Sequence, residues 1–276
     1  MTIQDTDFLL IHRNGVDYKI TAKDLQDYIN PNTDRPWDSH DGGIWHVVIP
    51  DGYDSKYPEV ARNGDFTIWN MDGTEHVYDP ADRLIGPTEV MILSNPTGWK
   101  FGSMGPMELG ELTDTSKMTS LSELFAYGNC IGDTTDFNAW DMSNVTSIFS
   151  MFDSNMPMEQ FICPDWDLRK CTNLTASIPK VKTAGKTDLS NWKLNTTEDV
   201  TMMSMFYFYK QLTGLDLSKW DTSRVTAMNM LFYKSDFDGD ISSWCVQNIS
   251  SEPPGFADNT PLAEAPEKNP KWGQAC

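Results

Sequence analysis

Positive charge is scarce in this sequence. Against 40 aspartates and glutamates stand 21 lysines and arginines, a formal net charge of -19. A surface of that sign repels phosphate, which argues against a nucleic-acid partner and offers nothing to an acidic lipid headgroup. Long apolar runs are missing too. None approaches the ~20 residues that a membrane-crossing helix needs, so no membrane insertion is expected. Met1-Thr2-Ile3-Gln4-Asp5 lacks the basic stretch of a secretory leader, and the chain is read as soluble and not exported by the ordinary route.

Histidine occurs only at His12, His40, His46 and His76, so the second half of the chain has none. No G-x-S-x-G or H-E-x-x-H accompanies them, and no glycine-rich loop precedes a helix. The reading is therefore non-enzymatic, with no catalytic residue and no cofactor. Cysteine is also sparse: Cys130, Cys163, Cys171, Cys245 and Cys276 are odd in number and lack C-x-x-C spacing, which argues against a zinc site.

What the sequence does have is a phrase that returns. It reads Asp136-Phe137-Asn138-Ala139-Trp140, Asp188-Leu189-Ser190-Asn191-Trp192, Asp216-Leu217-Ser218-Lys219-Trp220 and Asp240-Ile241-Ser242-Ser243-Trp244, with a degraded copy ending at Trp166. The tryptophans are 26, 26, 28 and 24 residues apart, a period that predicts a solenoid. Between them, apolar residues recur at offsets 0, +3, +6 and +7, as in Val145, Ile148, Met151, Phe152 and in Val200, Met203, Phe206, Tyr207. That spacing predicts one buried face of a short helix, with Ser116, Ser143 or Ser223 as N-cap. The D-L-S-x-W phrase alternates as a half-buried strand does. One strand and one helical turn per repeat make the leucine-rich-repeat unit, whose apolar side must be covered by its neighbours.

The spelling W-D-x-S-x-V-T, at Trp140–Thr146 and again at Trp220–Thr226, resembles the BspA-type leucine-rich-repeat surface proteins. The resemblance covers roughly half of the chain and weakens where Pro164 replaces the serine. It implies that a pair placed like Cys245 and Cys276 staples the C-terminal cap; free thiols are the alternative.

Nearer the start, Asn14-Gly15 between two alternating runs predicts a type I′ hairpin, and Thr21-Ala22-Lys23-Asp24 leads into a helix carrying Leu25, Tyr28 and Ile29. The run from Asp5 to Leu25 is similar to the N-terminal segment of structural proteins of tailed phages infecting marine cyanobacteria. That similarity implies attachment to other virion proteins, with Phe8, Leu10, Tyr18, Leu25 and Tyr28 as the anchor, in a homo-oligomer on the virion. Packing for stability alone is the competing account. Phe66-Thr67-Ile68-Trp69-Asn70-Met71-Asp72-Gly73-Thr74 resembles the W-x-D-G-T hairpin of PKD-like β-sandwiches, and a cap woven into the repeats is the rival there.

The expected fold is α+β and multidomain: a ββα module (1–30), a linker (31–42), a small β-sandwich (43–105), a leucine-rich-repeat solenoid of parallel strands and short helices (106–244) and a C-terminal cap (245–276). If the repeats stack, Asp136, Asn138, Asp188, Ser190, Asp216, Ser218, Asp240 and Ser242 share one strand face, about 4.8 Å per rung. Such a ladder suits sugar hydroxyls or a divalent cation. The alternative, which the repeat itself favours, is that each aspartate accepts backbone amides at a strand edge or turn. The five tryptophans are read as packing residues before a sugar-stacking platform. The expected function is a phage structural protein, a tail fibre or a tail- or capsid-attached protein, that displays the repeats to a host-surface glycan or protein. A purely architectural virion component is the first alternative, and a bacterial surface adhesin the second.

Overall fold

The structure, a computed structural model, describes residues 8–13, 16–21, 35–57, 66–77, 82–101, 104, 107–126, 135–152 and 158–276, the first two of these segments as backbone only. The chain forms two compact units, residues 1–39 and 40–276. In the first, β1 (Phe8–Arg13) and β2 (Val16–Thr21) pair antiparallel, with Arg13 opposite Val16 and Phe8 opposite Thr21. Asn14-Gly15, the expected helix, and with it Leu25 and Tyr28, lie outside the described residues. Arg35 closes on Asp38 at 2.8 Å and holds its guanidinium 5.5 Å from the Trp37 ring.

The second unit begins with a four-stranded antiparallel sheet, in the order β5 (Phe66–Asn70), β7 (Thr88–Ser94), β3 (Gly43–Ile49), β8 (Glu108–Leu109). The two central strands read as near-continuous apolar runs and are buried along almost their whole length. The edge strand β5 keeps only Ile68 fully buried. Asn70–Thr74 form a turn in which Gly73 takes φ +84°, a left-handed conformation that favours glycine. A separate ribbon pairs β4 (Asp54–Lys56) with β6 (Arg83–Ile85).

This sheet is bonded directly to the repeats. Ile44 and Asp114 exchange backbone hydrogen bonds, Phe101 N donates to Leu124 O at 2.9 Å, and the Phe101 and Phe125 rings stack 5.3 Å apart. The buried residues from Trp45 to Leu262 form one continuous core.

The expected α+β leucine-rich-repeat solenoid does not form. Among the described residues there is no α-helix, only three short 3₁₀ segments at Phe137–Ala139, Pro261–Glu264 and Pro266–Lys268. Among the described residues, parallel pairing is confined to isolated bridges such as Ser120–Ser147, Ser147–Asn173 and Asn173–Thr201 and to two- and three-residue strands in separate two-stranded sheets: β9 (Phe161–Ile162) with β11 (Thr187–Asp188), β10 (Asp167–Leu168) with β12 (Lys193–Leu194), and β13 (Val200–Thr201) with β14 (Val225–Ala227). Among the described residues the sheets are small and open, and no closed sandwich precedes the repeats.

The physical reason lies in where the amides point. Leu121 N donates to Ser147 O, Ile148 N to Asn173 O, Leu174 N to Thr201 O, and Met202 N to Ala227 O, all between 2.8 and 3.0 Å. Glu123, Ser150, Ala176 and Ser204 repeat this two residues further on. A helix needs these same amides for its own carbonyls four residues back, so spending them on the next repeat excludes it. Glu123, Ser150, Ala176, Ser204 and Met230 also take φ between 46° and 58°, each at the same place in its repeat. Left-handed residues turn the chain instead of winding it. The apolar offsets therefore mark a sequence of tight turns with one buried side.

At Val200/Thr201 the register shifts by a residue. Met202, Met205 and Phe206 are buried there, and Met203 and Tyr207 face outward at 38% and 42% exposure. The predicted set of Met203, Phe206 and Tyr207 is thus corrected by one position. The D-L-S-x-W phrase is likewise a turn: apart from Thr187–Asp188, and Phe161–Ile162 at the start of the degraded copy, no copy enters a strand, and the 136–140 copy contains the 3₁₀ segment Phe137–Ala139.

At the far end Phe232 N donates to Phe256 O at 2.8 Å, Trp272 packs edge-on to Phe256 at 4.9 Å, and Cys245 is disulfide-bonded to Cys276.

Candidate functional site

Each aspartate of the recurring phrase does the same local work. One carboxylate oxygen accepts the backbone N–H two residues on: Asn138 to Asp136 at 3.1 Å, Ser190 to Asp188 at 3.0 Å, Ser218 to Asp216 at 2.9 Å and Ser242 to Asp240 at 2.9 Å. This is an Asx turn, which short acidic side chains form readily. Asp114, Asp141 and Asp221 do likewise for Ser116, Ser143 and Ser223, so those serines are the capped residues and not the caps.

Four residues after the aspartate of the recurring phrase comes the tryptophan, and it faces inward. Trp166, Trp192, Trp220 and Trp244 are 2–3% exposed and stack in order, with ring centroids 5.2, 5.5 and 6.0 Å apart. Each indole N–H donates to a carbonyl of the preceding repeat: Phe137, Cys163, Leu189 and Leu217, at 2.7 to 2.9 Å. Trp140 stands outside this column, edge-on to Trp45 at 5.8 Å. With faces covered and N–H groups used, these rings offer no stacking platform to a sugar.

The aspartates and serines stay at the surface, and two pairs share a shallow groove of about 530 Å³. Its walls are Asp216 and Ser218, Asp240 and Ser242, with Asp238, Gly214 and Gly239 beside them. Asp136, Asn138, Asp188 and Ser190 are not among its walls. Ile162, which pairs with Asp188 on the neighbouring strand, interrupts the acidic column. The Ser218 hydroxyl and amide hold the Asp216 carboxyl below the usual carboxylate range, and Lys219 adds to this. The Ser242 amide and hydroxyl do the same for Asp240. Among the described residues no three His, Cys, Asp or Glu side chains converge to hold a metal ion.

Sequence reasoning missed Asp238 and the two glycines. Asp238 Oδ1 accepts the Gly214 N–H at 3.0 Å and fixes one wall. A Cβ at Gly239 would lie 2.9 Å from the Leu215 carbonyl oxygen and 2.5 Å from the Phe237 ring, so only glycine lets the chain pass. The three aspartates of Asp236–Asp240 were the available signal.

The family described as "Mycoplasma protein of unknown function, DUF285" matches residues 108–203 and 163–268, together more than half of the chain. The chain belongs to this Mycoplasma-associated family, which is often linked to BspA-like surface repeat proteins. No curated protein and no solved structure matches it. Among the described residues no helix is long and apolar enough to cross a membrane.

Proposed function

We propose that this protein is a structural component of a phage particle that presents its repeats to a host-surface glycan or protein. The observation that carries the reading is the division of labour within each repeat. Tryptophan and the apolar turn residues build a continuous core, while the Asp-x-Ser turns and the residues between them are left at the surface. The groove between Asp216 and Ser242 supplies carboxylate, hydroxyl and backbone groups of the kind that hydrogen-bond sugar hydroxyls. A particle carrying many copies multiplies weak contacts of this sort by avidity. The likeness of the N-terminal segment to phage structural proteins supports the setting.

An architectural role, with the repeats facing other virion subunits, draws on a separate feature. Tyr207 and Phe208 are 42% and 38% exposed, Tyr207 stacks on Tyr233 at 5.4 Å, and Met203 and Met230 are also exposed. A surface adhesin fits the family link as well. The deciding experiment incubates the labelled full chain with host cyanobacteria and with unrelated bacteria. Saturable binding to host cells alone, weakened by Asp216→Ala/Asp240→Ala, supports recognition. Absence of binding by a multivalent, bead-coupled form refutes it in favour of architecture.

A further inference from the structure

A second groove, of about 380 Å³, opens on the repeats beside Trp192 and is lined by charge of the opposite sign: Arg169, Lys193 and Lys219, with Asn191, Thr196 and Asp221. In a chain of net charge -19, three cations on one concavity are a local inversion. We propose that this groove binds a saccharide unit bearing a single anionic group, a carboxylate or a sulfate. The proposal deepens the surface-recognition reading and rests on it for the choice of a saccharide.

The cations are placed by successive repeats. Asp167 and Lys193 are partners across the parallel β10–β12 pair, Arg169 follows two residues after Asp167, and Lys219 reaches back to Asn191. Their contacts within the protein leave them with capacity to spare. Arg169 engages Asp167 yet remains 66% exposed on its side chain, so part of its planar fork of donors still faces solvent. Lys219 donates to a neutral amide oxygen, Asn191 Oδ1, at 3.4 Å, while its charge also acts on the Asp216 carboxylate without forming an ion pair among the described residues. Lys193 is exposed and forms no ion pair within 4 Å among the described residues, although its charge contributes to holding the Asp167 carboxyl low. The Asn191 amide is held at both ends, its Nδ2 donating to Asp165 at 3.2 Å, and with Thr196 it adds uncharged hydrogen-bonding groups next to the cations.

Size and charge select the ligand. The groove falls within the range of small-ligand sites of about 300–1,000 Å³, enough for one or two sugar rings. A polyanion would meet the acidic remainder of the surface and be repelled. A single anionic group meets three cations against the one carboxylate of Asp221, and its neighbouring hydroxyls meet Asn191 and Thr196. Asp221, itself part of the lining, disfavours a second anion close to the first.

The test titrates the full chain by calorimetry with a galactotriose whose terminal unit is galacturonate, a galactotriose monosulfate and neutral galactotriose. At least one anionic probe should bind about tenfold tighter than the neutral one, with affinity falling severalfold between about 50 and about 300 mM salt. The stronger anion identifies carboxylate or sulfate as the source. Lys193→Gln/Lys219→Gln should lose about fivefold, and Lys193→Glu/Lys219→Glu at least about tenfold, while their urea midpoints stay at the parent value. Lys210→Glu, an exposed lysine outside the groove, should change nothing.

The proposal is overturned if neither anionic probe outbinds galactotriose, or if the glutamate variant binds as the parent does. It is equally overturned if a tetraglutamate peptide displaces the saccharide at the same concentration, which would make the groove a peptide site. Host-cell binding is measured in parallel. Cell binding that persists without saccharide binding sinks this proposal alone, and loss of cell binding despite saccharide binding sinks the surface-recognition reading alone.

Discussion

Replacing Trp192 by phenylalanine tests whether the indole column holds the repeats together. Trp192 stacks on Trp166 at 5.2 Å and on Trp220 at 5.5 Å, and its N–H donates to Cys163 O at 2.7 Å. Phenylalanine removes the donor and strands a buried carbonyl, which costs about 1–3 kcal/mol. It keeps part of the two stacking contacts, each worth about 0.5–1.5 kcal/mol, and its smaller ring leaves a void. The sum is roughly 2–4 kcal/mol, read as a lower urea midpoint at constant slope. Trp140→Phe is the internal control. That ring is 6% exposed, lies outside the column and makes no indole hydrogen bond among the described residues, so its loss should be about 1 kcal/mol. Equal destabilisation by the two substitutions would refute the role assigned to the inter-repeat indole bonds.

The other expectations are smaller or more local. Asp216→Ala removes the acceptor of the Ser218 amide and should cost about 1 kcal/mol by urea unfolding, while Asp216→Asn, which keeps an acceptor, should cost only a few tenths. Asp167, Asp216 and Asp240 all have folded pKa values below the ordinary one, through Arg169, Ser218 and Ser242 respectively. Their stabilisation is full above the unfolded pKa of about 3.9 and is lost as pH falls through the depressed folded values; urea midpoints should drop between about pH 5 and pH 3, less steeply in Asp167→Asn. The Cys245–Cys276 bond closes a separation of 31 residues. By the loop-entropy relation Cys276→Ser should cost roughly 3–4 kcal/mol, seen as a lower melting temperature that reducing agent reproduces in the parent. Burial pushes the Cys171 thiol up to about 12 and Cys163 well above its usual value. Peptide mapping after alkylation at about pH 8 should find both unmodified in native protein and labelled in urea.

The period of the repeats could be read from the sequence, because a residue that must fill the same space in every repeat returns at the same interval; the tryptophans did. The inward set Leu121, Leu124, Phe125 and its copies could be read too, since burial leaves its mark on composition. The backbone that carries them could not. Offsets of 0, +3, +6 and +7 fit a helix and fit equally a chain of tight turns whose amides donate sideways. The deciding evidence, left-handed φ at Glu123, Ser150, Ala176, Ser204 and Met230, falls on residues with no shared chemistry. Nor could the shift at Val200 be seen, because Met202 and Met203 are interchangeable to any apolar pattern. At the candidate site the aspartates were visible and their turn geometry was among the readings the sequence allowed. The basic groove was not, since Arg169, Lys193 and Lys219 lie 24 and 26 residues apart and meet only when neighbouring repeats are paired.

That last point bears on where specificity can reside. Immediately before each tryptophan stand Ala139, Asp165, Asn191, Lys219 and Ser243, all exposed and no two alike, whereas the tryptophans themselves do not vary. Two neighbouring pairs in this row touch, Asn191 donating to Asp165 and Lys219 to Asn191, and Ser243 donates to the carbonyl of Ser218, the residue before Lys219. Folding asks nothing of these five positions beyond a side chain that tolerates water, because in four of the five copies the aspartate three residues earlier makes the turn and in all five the tryptophan makes the core. Changing them therefore alters what the surface presents without altering what holds it up. Exchanging Asn191 and Lys219 should leave the urea midpoint within about 0.5 kcal/mol of the parent while changing saccharide affinity severalfold. A loss of stability from that exchange would show that the row is part of the scaffold, and the separation of display from core would fail with it.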